Sequence, residues 1–155
     1  MRFSNGELDE VATARLVLRR VTLDDLVDWR RIHEGPQYDH VVGDIVAHWR
    51  EYGFGYWAIE RDGAVVGFGG VRLLRDWNGR GDVLNLFYRL EPEARGNGFA
   101  RETASAAIDR ATLPVVARIR PENEPSVRVA LRAGLVRRPD LDEGSGFVVY
   151  AHGFD

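Results

Sequence analysis

The 155 residues include no cysteine, no lysine and one methionine, and all 21 residues in the Lys+Arg count are arginine. Without cysteine there is no disulfide, no thiolate zinc site and no acyl-enzyme on sulfur. Without lysine there is no Schiff base and no lysine clamp on a phosphate. No apolar run approaches the roughly 20 residues of a membrane span, and nothing at the N-terminus resembles a signal peptide. A cytoplasmic protein without a membrane partner is therefore expected. A net charge of −3 lacks the basic excess of a nucleic-acid binder, so no nucleic-acid partner is expected either. Repeats and low-complexity segments are absent. What is present is ordinary: 45% hydrophobic and 29% charged residues are enough for one core, and a single domain over 1–155 is expected.

Along the chain, periodicity alternates between that of strands and that of helices. Arg15 to Arg20 alternates apolar and charged residues as a strand does. Thr22 and Asp25 form a capping-box variant that opens a helix running toward Gly35-Pro36. A second helix is expected from Asp44, as N-cap, to Tyr52. Tyr56 to Glu60 and Val65 to Leu73 are strands joined at Asp62-Gly63, a hairpin signal. A strand from Val83 to Leu90 precedes a helix from Phe99 to Ala111. The strand Val115 to Ile119, a short helix from Ser126 to Ala133 and a last strand from Gly146 to Ala151 complete the series. The order β-α-α-β-β-β-α-β-α-β predicts a mixed α/β (α+β) fold, a mixed sheet with helices on both faces.

One stretch carries chemistry. Between the strand ending at Leu90 and the helix beginning at Phe99 lie Pro92 and the turn Arg95-Gly96-Asn97-Gly98. A glycine-rich turn feeding a helix N-terminus presents unpaired amides beside the positive end of the helix dipole, which is an anion site and most often a phosphate site. The pattern R-x-x-G-x-[G/A] at Arg95, Gly98 and Ala100 arises by chance about 0.5 times in a chain of this composition. It occurs a second time at Arg50, Gly53 and Gly55, but there a strand follows and no helix begins. Context selects the first. The plainer alternative is a helix cap without ligand.

These residues bear a family resemblance that covers nearly the whole chain. Thr13-Ala-Arg15-Leu16-Val-Leu18-Arg19, Trp57-Ala-Ile with Asp62-Gly63 and Val66-Gly67, Phe87-Tyr88-Arg89-Leu90-Glu-Pro92 followed by Arg95 to Glu102, and Asn123 to Ser126 leading to Leu131 through Leu135 occur in that order. Together they resemble the GNAT superfamily of acyl-coenzyme A-dependent N-acetyltransferases, in particular its RimJ/RimL-like ribosomal-protein branch. The resemblance implies a central mixed sheet whose parallel strands splay apart around acetyl-coenzyme A, used as cosubstrate with no metal. It implies that pantetheine pairs with main-chain groups at Tyr88 and Leu90. The pyrophosphate then sits on the turn Arg95, Gly96, Asn97, Gly98, Phe99 and Ala100. Asn123 and Ser126 would contact the pantetheine end, and Arg132 the 3′-phosphate. Asn123 as a turn or cap, Ser126 as a helix N-cap and Arg132 as a solvated side chain are the plainer alternatives.

The implied activity is direct acetyl transfer to a primary amine, of a small molecule or a protein N-terminus, by a monomer or homodimer. A main-chain N–H of a bulged central strand would stabilise the oxyanion. The alternative is a non-catalytic acyl-coenzyme A binding or sensing domain. It is kept open by two departures: Ala130 stands where many relatives carry an acidic tyrosine, and Asn85 where the branch often carries a glutamate. Ser126 becomes the candidate donor to the thiolate, and Asn85 a group that positions water but cannot take its proton. His40, Asp44 and His48 have the i, i+4, i+8 spacing of a metal triad, but Gly43 reads as a break between them, so no metal site is expected. His33 or His48 is the alternative base. Trp29, Tyr38, Trp49, Phe54 and Tyr56 form core or the wall of an acceptor pocket.

Overall fold

The computed structural model describes residues 10–154; residues 1–9 and 155, part of the expected 1–155 domain and the stretch read for a signal peptide, lie outside them. The strands are β1 (Glu10–Ala12), β2 (Val17–Arg20), β3 (Tyr56–Arg61), β4 (Ala64–Leu74), β5 (Val83–Leu90), β6 (Val115–Ile119), β7 (Val136–Arg137) and β8 (Val148–His152). The helices are α1 (Leu26–Ile32), α2 (Asp39–Tyr52), α3 (Phe99–Arg110) and α4 (Glu124–Arg132). One sheet holds all eight strands in the order β1-β2-β3-β4-β5-β6-β8-β7. Its neighbours pair antiparallel except β5 and β6, which are parallel.

Local chemistry explains most of these boundaries. Asp62 and Gly63 take φ of 51° and 82°, the doubly left-handed turn that matches strand twist, and so close the β3–β4 hairpin. The Thr22 amide donates to Asp25 Oδ2 at 2.8 Å, while both Asp25 oxygens receive the Arg19 guanidinium at 2.7 and 2.9 Å. That buried carboxylate pins the entry of α1 to β2.

Three expectations are corrected. The second helix starts at Asp39, not at Asp44, and runs through Gly43. A 3-10 turn led by Pro36 feeds it, and Val42, Ile45 and Trp49 bury one face, which outweighs the ~1 kcal/mol penalty of an exposed helical glycine. The fourth helix starts at Glu124, so its N-cap is Asn123, whose side chain accepts from the Ser126 amide at 3.3 Å. Ser126 lies inside the helix and is not its cap. Finally, β5 is not bulged. Its register with β4 runs unbroken from Gly67↔Leu90 to Leu74↔Val83, and the register shift falls in the β3–β4 pair, where Val66 of β4 is the extra residue opposite Ile59 and Glu60.

Helices cover both faces, as expected. The α1 side receives the Trp29 ring edge-on to Phe68 at 4.9 Å between centroids. The α3 side requires Gly69, where an added Cβ would lie 3.3 Å from Thr103 Cγ2 and 2.9 Å from the Phe87 carbonyl oxygen. A second, smaller cluster joins Trp77, Val83, Val116 and Val149 beneath the β6–β8 end. The parallel pair is short: only Leu84↔Val115 and Asn85↔Val116 are in register, after which β5 continues to Leu90 and β6 to Ile119 without pairing. The strands splay, as the resemblance implies.

Two glycine-to-alanine substitutions are expected to have opposite signs. At Gly67 the new methyl would meet the Arg89 carbonyl oxygen at 2.5 Å and Leu90 Cα at 3.1 Å, so urea denaturation should show a loss of about 1–3 kcal/mol. At Gly43 nothing lies within 4 Å and the backbone is helical, so the same change should stabilise by up to about 1 kcal/mol. Equal midpoints for the two variants would contradict this packing.

Candidate functional site

The chain leaves β5 through a 3-10 turn, Pro92–Ala94, and reaches α3 by way of Gly96 and Gly98, at φ of 80° and 81°. Glycine adopts that left-handed conformation without a Cβ penalty. Among the described residues, no amide from Gly96 to Arg101 finds a protein acceptor; the first helical bond is Glu102 N–H to Gly98 C=O at 3.0 Å. The loop carbonyls, by contrast, are held: Arg95 Nε donates to Leu90 O at 3.1 Å and Asn97 Nδ2 to Ala94 O at 3.1 Å. The turn is thus rigid in its acceptors and open in its donors.

Glu102 fixes the turn in space. Its carboxylate receives the Thr13 hydroxyl, the Arg15 amide at 2.9 Å and Arg15 Nε at 2.8 Å, while Arg15 Nη1 reaches across to Asn97 O at 2.7 Å. Burial alone would raise the Glu102 pKa; the hydrogen bonds from Thr13 and Arg15 outweigh it and hold the group below the ordinary glutamate value.

The gap between the splayed strands opens above this turn. Leu84 N–H bonds the Pro114 carbonyl on the β6 side, and Glu91 N–H bonds Val66 on the β4 side. Strand alternation therefore turns the peptide groups of Tyr88 and Leu90 into the gap, where β6 no longer reaches them. A cavity of about 560 Å³ occupies the gap, lined by Tyr88, Leu90, Arg95, Gly96, Gly98, Phe99, Ala100, Asn123, Ser126 and Arg132. Every residue expected to hold the cofactor is brought together here except Asn97, whose side chain folds back on its own turn. Tyr88 donates its hydroxyl to Ser126 O at 2.7 Å, which ties β5 to α4 across the cleft. Ser126 lines the cleft, and its hydroxyl has no hydrogen-bond partner among the described residues. Ala130 is fully buried and faces the core, so no acidic side chain stands on α4 at that place.

A second cavity, of about 530 Å³, lies on the opposite face of β5. Phe87 and Arg89 line both cavities, so the two meet at that edge. Trp29, Tyr38, Tyr56 and Phe87 supply aromatic wall, and Arg72, Asn85, Arg89, Arg118 and Asp44 the polar groups. Asn85 is buried and engaged at both ends of its amide: Nδ2 donates to the Tyr56 hydroxyl at 2.8 Å and Oδ1 accepts from Arg118 Nε at 3.3 Å. Burial raises the Tyr56 pKa, while the bond to Asn85 and the nearby Arg72 and Arg118 charges work against it. Alternation along β5 puts Asn85, Phe87 and Arg89 on one face; Arg72 and Arg118 carry no local sequence signal, because the pairing of three strands brings them there.

The two histidines part company. His48 uses both ring nitrogens: Nδ1 donates to Phe54 O at 2.8 Å and Nε2 accepts from the Leu73 amide at 3.0 Å. Both of its nitrogens are thus engaged, although His40, Asp44 and His48 do share one helix. His33 stacks on Trp29 at 4.0 Å and donates from Nδ1 to Trp29 O at 3.0 Å. That tautomer leaves a lone pair on Nε2, with no partner among the described residues. Burial, aided by the Arg89 charge, lowers the His33 pKa below its ordinary value, so the ring is neutral at neutral pH.

A family model described as an acetyltransferase (GNAT) domain matches residues 15–136. An acetyltransferase from Agrobacterium tumefaciens str. C58 superposes with a TM-score of 0.78 at 22% identity, covering 99% of this chain and 98% of that one. RimJ from Mycobacterium smegmatis, in complex with a coenzyme A disulfide, gives 0.71 at 20% identity, covering 98% and 90%. A RimL ribosomal L7/L12 alpha-N-protein acetyltransferase in complex with coenzyme A gives 0.69 at 14% identity, covering 93% and 97%. At these identities the likeness to the solved structures is one of fold. No helix among the described residues is long and apolar enough to cross a membrane.

Glu102→Gln should destabilise the protein by about 1–2 kcal/mol at pH 7, because charge-assisted bonds become neutral ones. The folded carboxyl titrates below its ordinary value, so its contribution is full above that value and is lost as pH falls through the folded pKa. Denaturant titrations should show the difference between wild type and variant narrowing below about pH 4. A difference that stays constant from neutral pH into that range would contradict the role given to this carboxylate.

Proposed function

The chain belongs to the acetyltransferase (GNAT) domain family, which moves acetyl groups from acetyl-coenzyme A to amines, and on that premise we propose that the cofactor lies in the cleft between β5 and α4 while the amine enters through the aromatic cavity. The observation that carries this reading is the shared edge at Phe87 and Arg89, where the two cavities meet. At that edge a thioester in the cleft and an amine in the aromatic cavity come within reach of one another.

Each part of the cleft has a matching demand. The open amides of Gly96 to Arg101 suit a diphosphate at a helix N-terminus. The gap-facing peptide groups of Tyr88 and Leu90 suit an extended amide-bearing chain that pairs as a strand would. Arg132 stands at the rim, suited to a further phosphate. A gap-facing amide of β5 is the donor available to the oxyanion; the strand needs no bulge, because the parting of β6 already leaves it free.

The transfer is direct, since no cysteine exists to carry the acyl group. His33 Nε2 takes the proton from the amine, whose nitrogen forms the C–N bond as the C–S bond breaks. The departing thiolate is met by the Ser126 hydroxyl, assisted by solvent. Asn85 is not the base and has little freedom to hold water; its two hydrogen bonds instead position Tyr56 and Arg118.

Thiol release from acetyl-coenzyme A with a panel of amines tests the reading. We expect kcat/KM to rise through an inflection below the ordinary histidine value of about 6.5, because the base acts only when deprotonated and its folded pKa is lowered. His33→Gln should remove that inflection and lower kcat/KM about 100-fold or more, with coenzyme A affinity kept. An unchanged acid limb in the variant would remove His33 as the base. Coenzyme A binding with no thiol release for any amine would contradict transfer itself.

A further inference from the structure

The aromatic cavity has a charge opposite to that expected for a site receiving a simple cationic amine. Three guanidiniums, those of Arg72, Arg89 and Arg118, line it against one carboxylate, that of Asp44. Arg72 and Arg89 form no ion pair among the described residues, and Arg118 Nη1 stands 3.8 Å from the Glu143 carboxylate, beyond hydrogen-bond distance. The neutral amide of Asn85 accepts from Arg118 without cancelling its charge. Arg72 lies opposite Asn85 in the β4–β5 register, so Arg72 and Arg118 flank the same point, beside the Tyr56 hydroxyl. Two residues further along the same face of β5 comes Phe87, where the cavity meets the cofactor cleft.

Resting on the acetyl-transfer reading, we infer that the acceptor is a small amine that also carries an anionic group, a carboxylate or a phosphate. Arg72 and Arg118 hold the anion while the amine lies toward Phe87 and His33. Guanidinium forks match the planar, two-oxygen geometry of these anions. The volume of about 530 Å³ is that of a small-ligand pocket, and its aromatic wall accepts an apolar side chain between the two polar ends. A polyamine would bring further positive charge to three arginines of which, among the described residues, only Arg118 has a carboxylate partner, Glu143 at 3.8 Å. The opposite chemistry fits.

The test uses matched pairs differing only in the anion: L-phenylalanine with phenethylamine, L-leucine with isoamylamine, and phosphoethanolamine with ethanolamine. Each is titrated by calorimetry into the protein saturated with coenzyme A, and each is also assayed for thiol release from acetyl-coenzyme A. The anionic member of at least one pair should bind about tenfold tighter or more, and the responsive pair tells carboxylate from phosphate. That preference should fall to within about threefold in the double variant Arg72→Gln/Arg118→Gln. It should fall likewise in Asn85→Asp, which sets a carboxylate against Arg118 with almost no change of shape. Equal or tighter binding of the anion-free amines, no binding of any anionic member, or a preference that survives both variants would overturn the inference. Thiol release without such preference leaves acetyl transfer standing and removes only the anion site. Selective binding without thiol release does the reverse.

Discussion

Two parallel strands that pair at Leu84–Val115 and Asn85–Val116 and then part govern the rest of this molecule. A sheet interior ordinarily satisfies every peptide group, because an unpaired buried N–H or C=O costs about as much as a lost hydrogen bond. Here, among the described residues, the peptides of Tyr88 and Leu90 face a gap that no strand fills, and of the two only the Leu90 carbonyl finds a side-chain partner there, Arg95 Nε. The fold tolerates this because β4 holds the other edge of β5 in unbroken register and because the Tyr88 hydroxyl ties the far wall at Ser126. The opening is therefore built from regular elements. It requires no local distortion of β5.

The gap has its chemistry because α3 begins at its foot. Gly96 and Gly98 carry the turn, and the amides from Gly96 to Arg101 have no acceptor among the described residues. Those donors are useful only if they stay in place, and Glu102 keeps them there. Its carboxylate gathers Thr13 and Arg15, from the far end of the sequence, onto the first turn of the helix. A segment near the N-terminus and a motif some 90 residues later are one device. Across β5, the second cavity inherits its shape from α1 and α2 and its charge from β4 and β6.

Much of this was legible in the sequence, and the exceptions share a cause. The strands Val83–Leu90 and Val115–Ile119 are read to the residue because prolines stand beyond their ends, Pro92 after the first and Pro114 and Pro121 on either side of the second. The cleft between β5 and α4 is legible because one continuous stretch, from Phe87 to Arg101, makes most of it. The aromatic cavity is not, because Arg72, Asn85 and Arg118 come from three strands whose register no local pattern encodes. Gly43 misled because a glycine on the exposed face of a helix otherwise held by Val42, Ile45 and Trp49 costs less than the burial returns. His33 and His48 look alike in sequence. They differ in where the chain folds a backbone amide against one ring, leaving the other with a nitrogen that has no partner among the described residues.

The account stands or falls on whether the turn before α3 holds coenzyme A. Gly98 and Gly53 make a matched pair, since both sit at left-handed φ, 81° and 77°, and each begins or ends a helix. Valine at either position carries the same backbone strain, and only one of the two lies in the cleft. Calorimetric titration of coenzyme A into Gly98→Val and Gly53→Val, after denaturation has shown both to be folded, is the direct measurement. The account predicts a loss of affinity of about 100-fold or more for Gly98→Val, where a branched side chain meets the diphosphate, and almost none for Gly53→Val. Equal affinities in the two folded variants would contradict it.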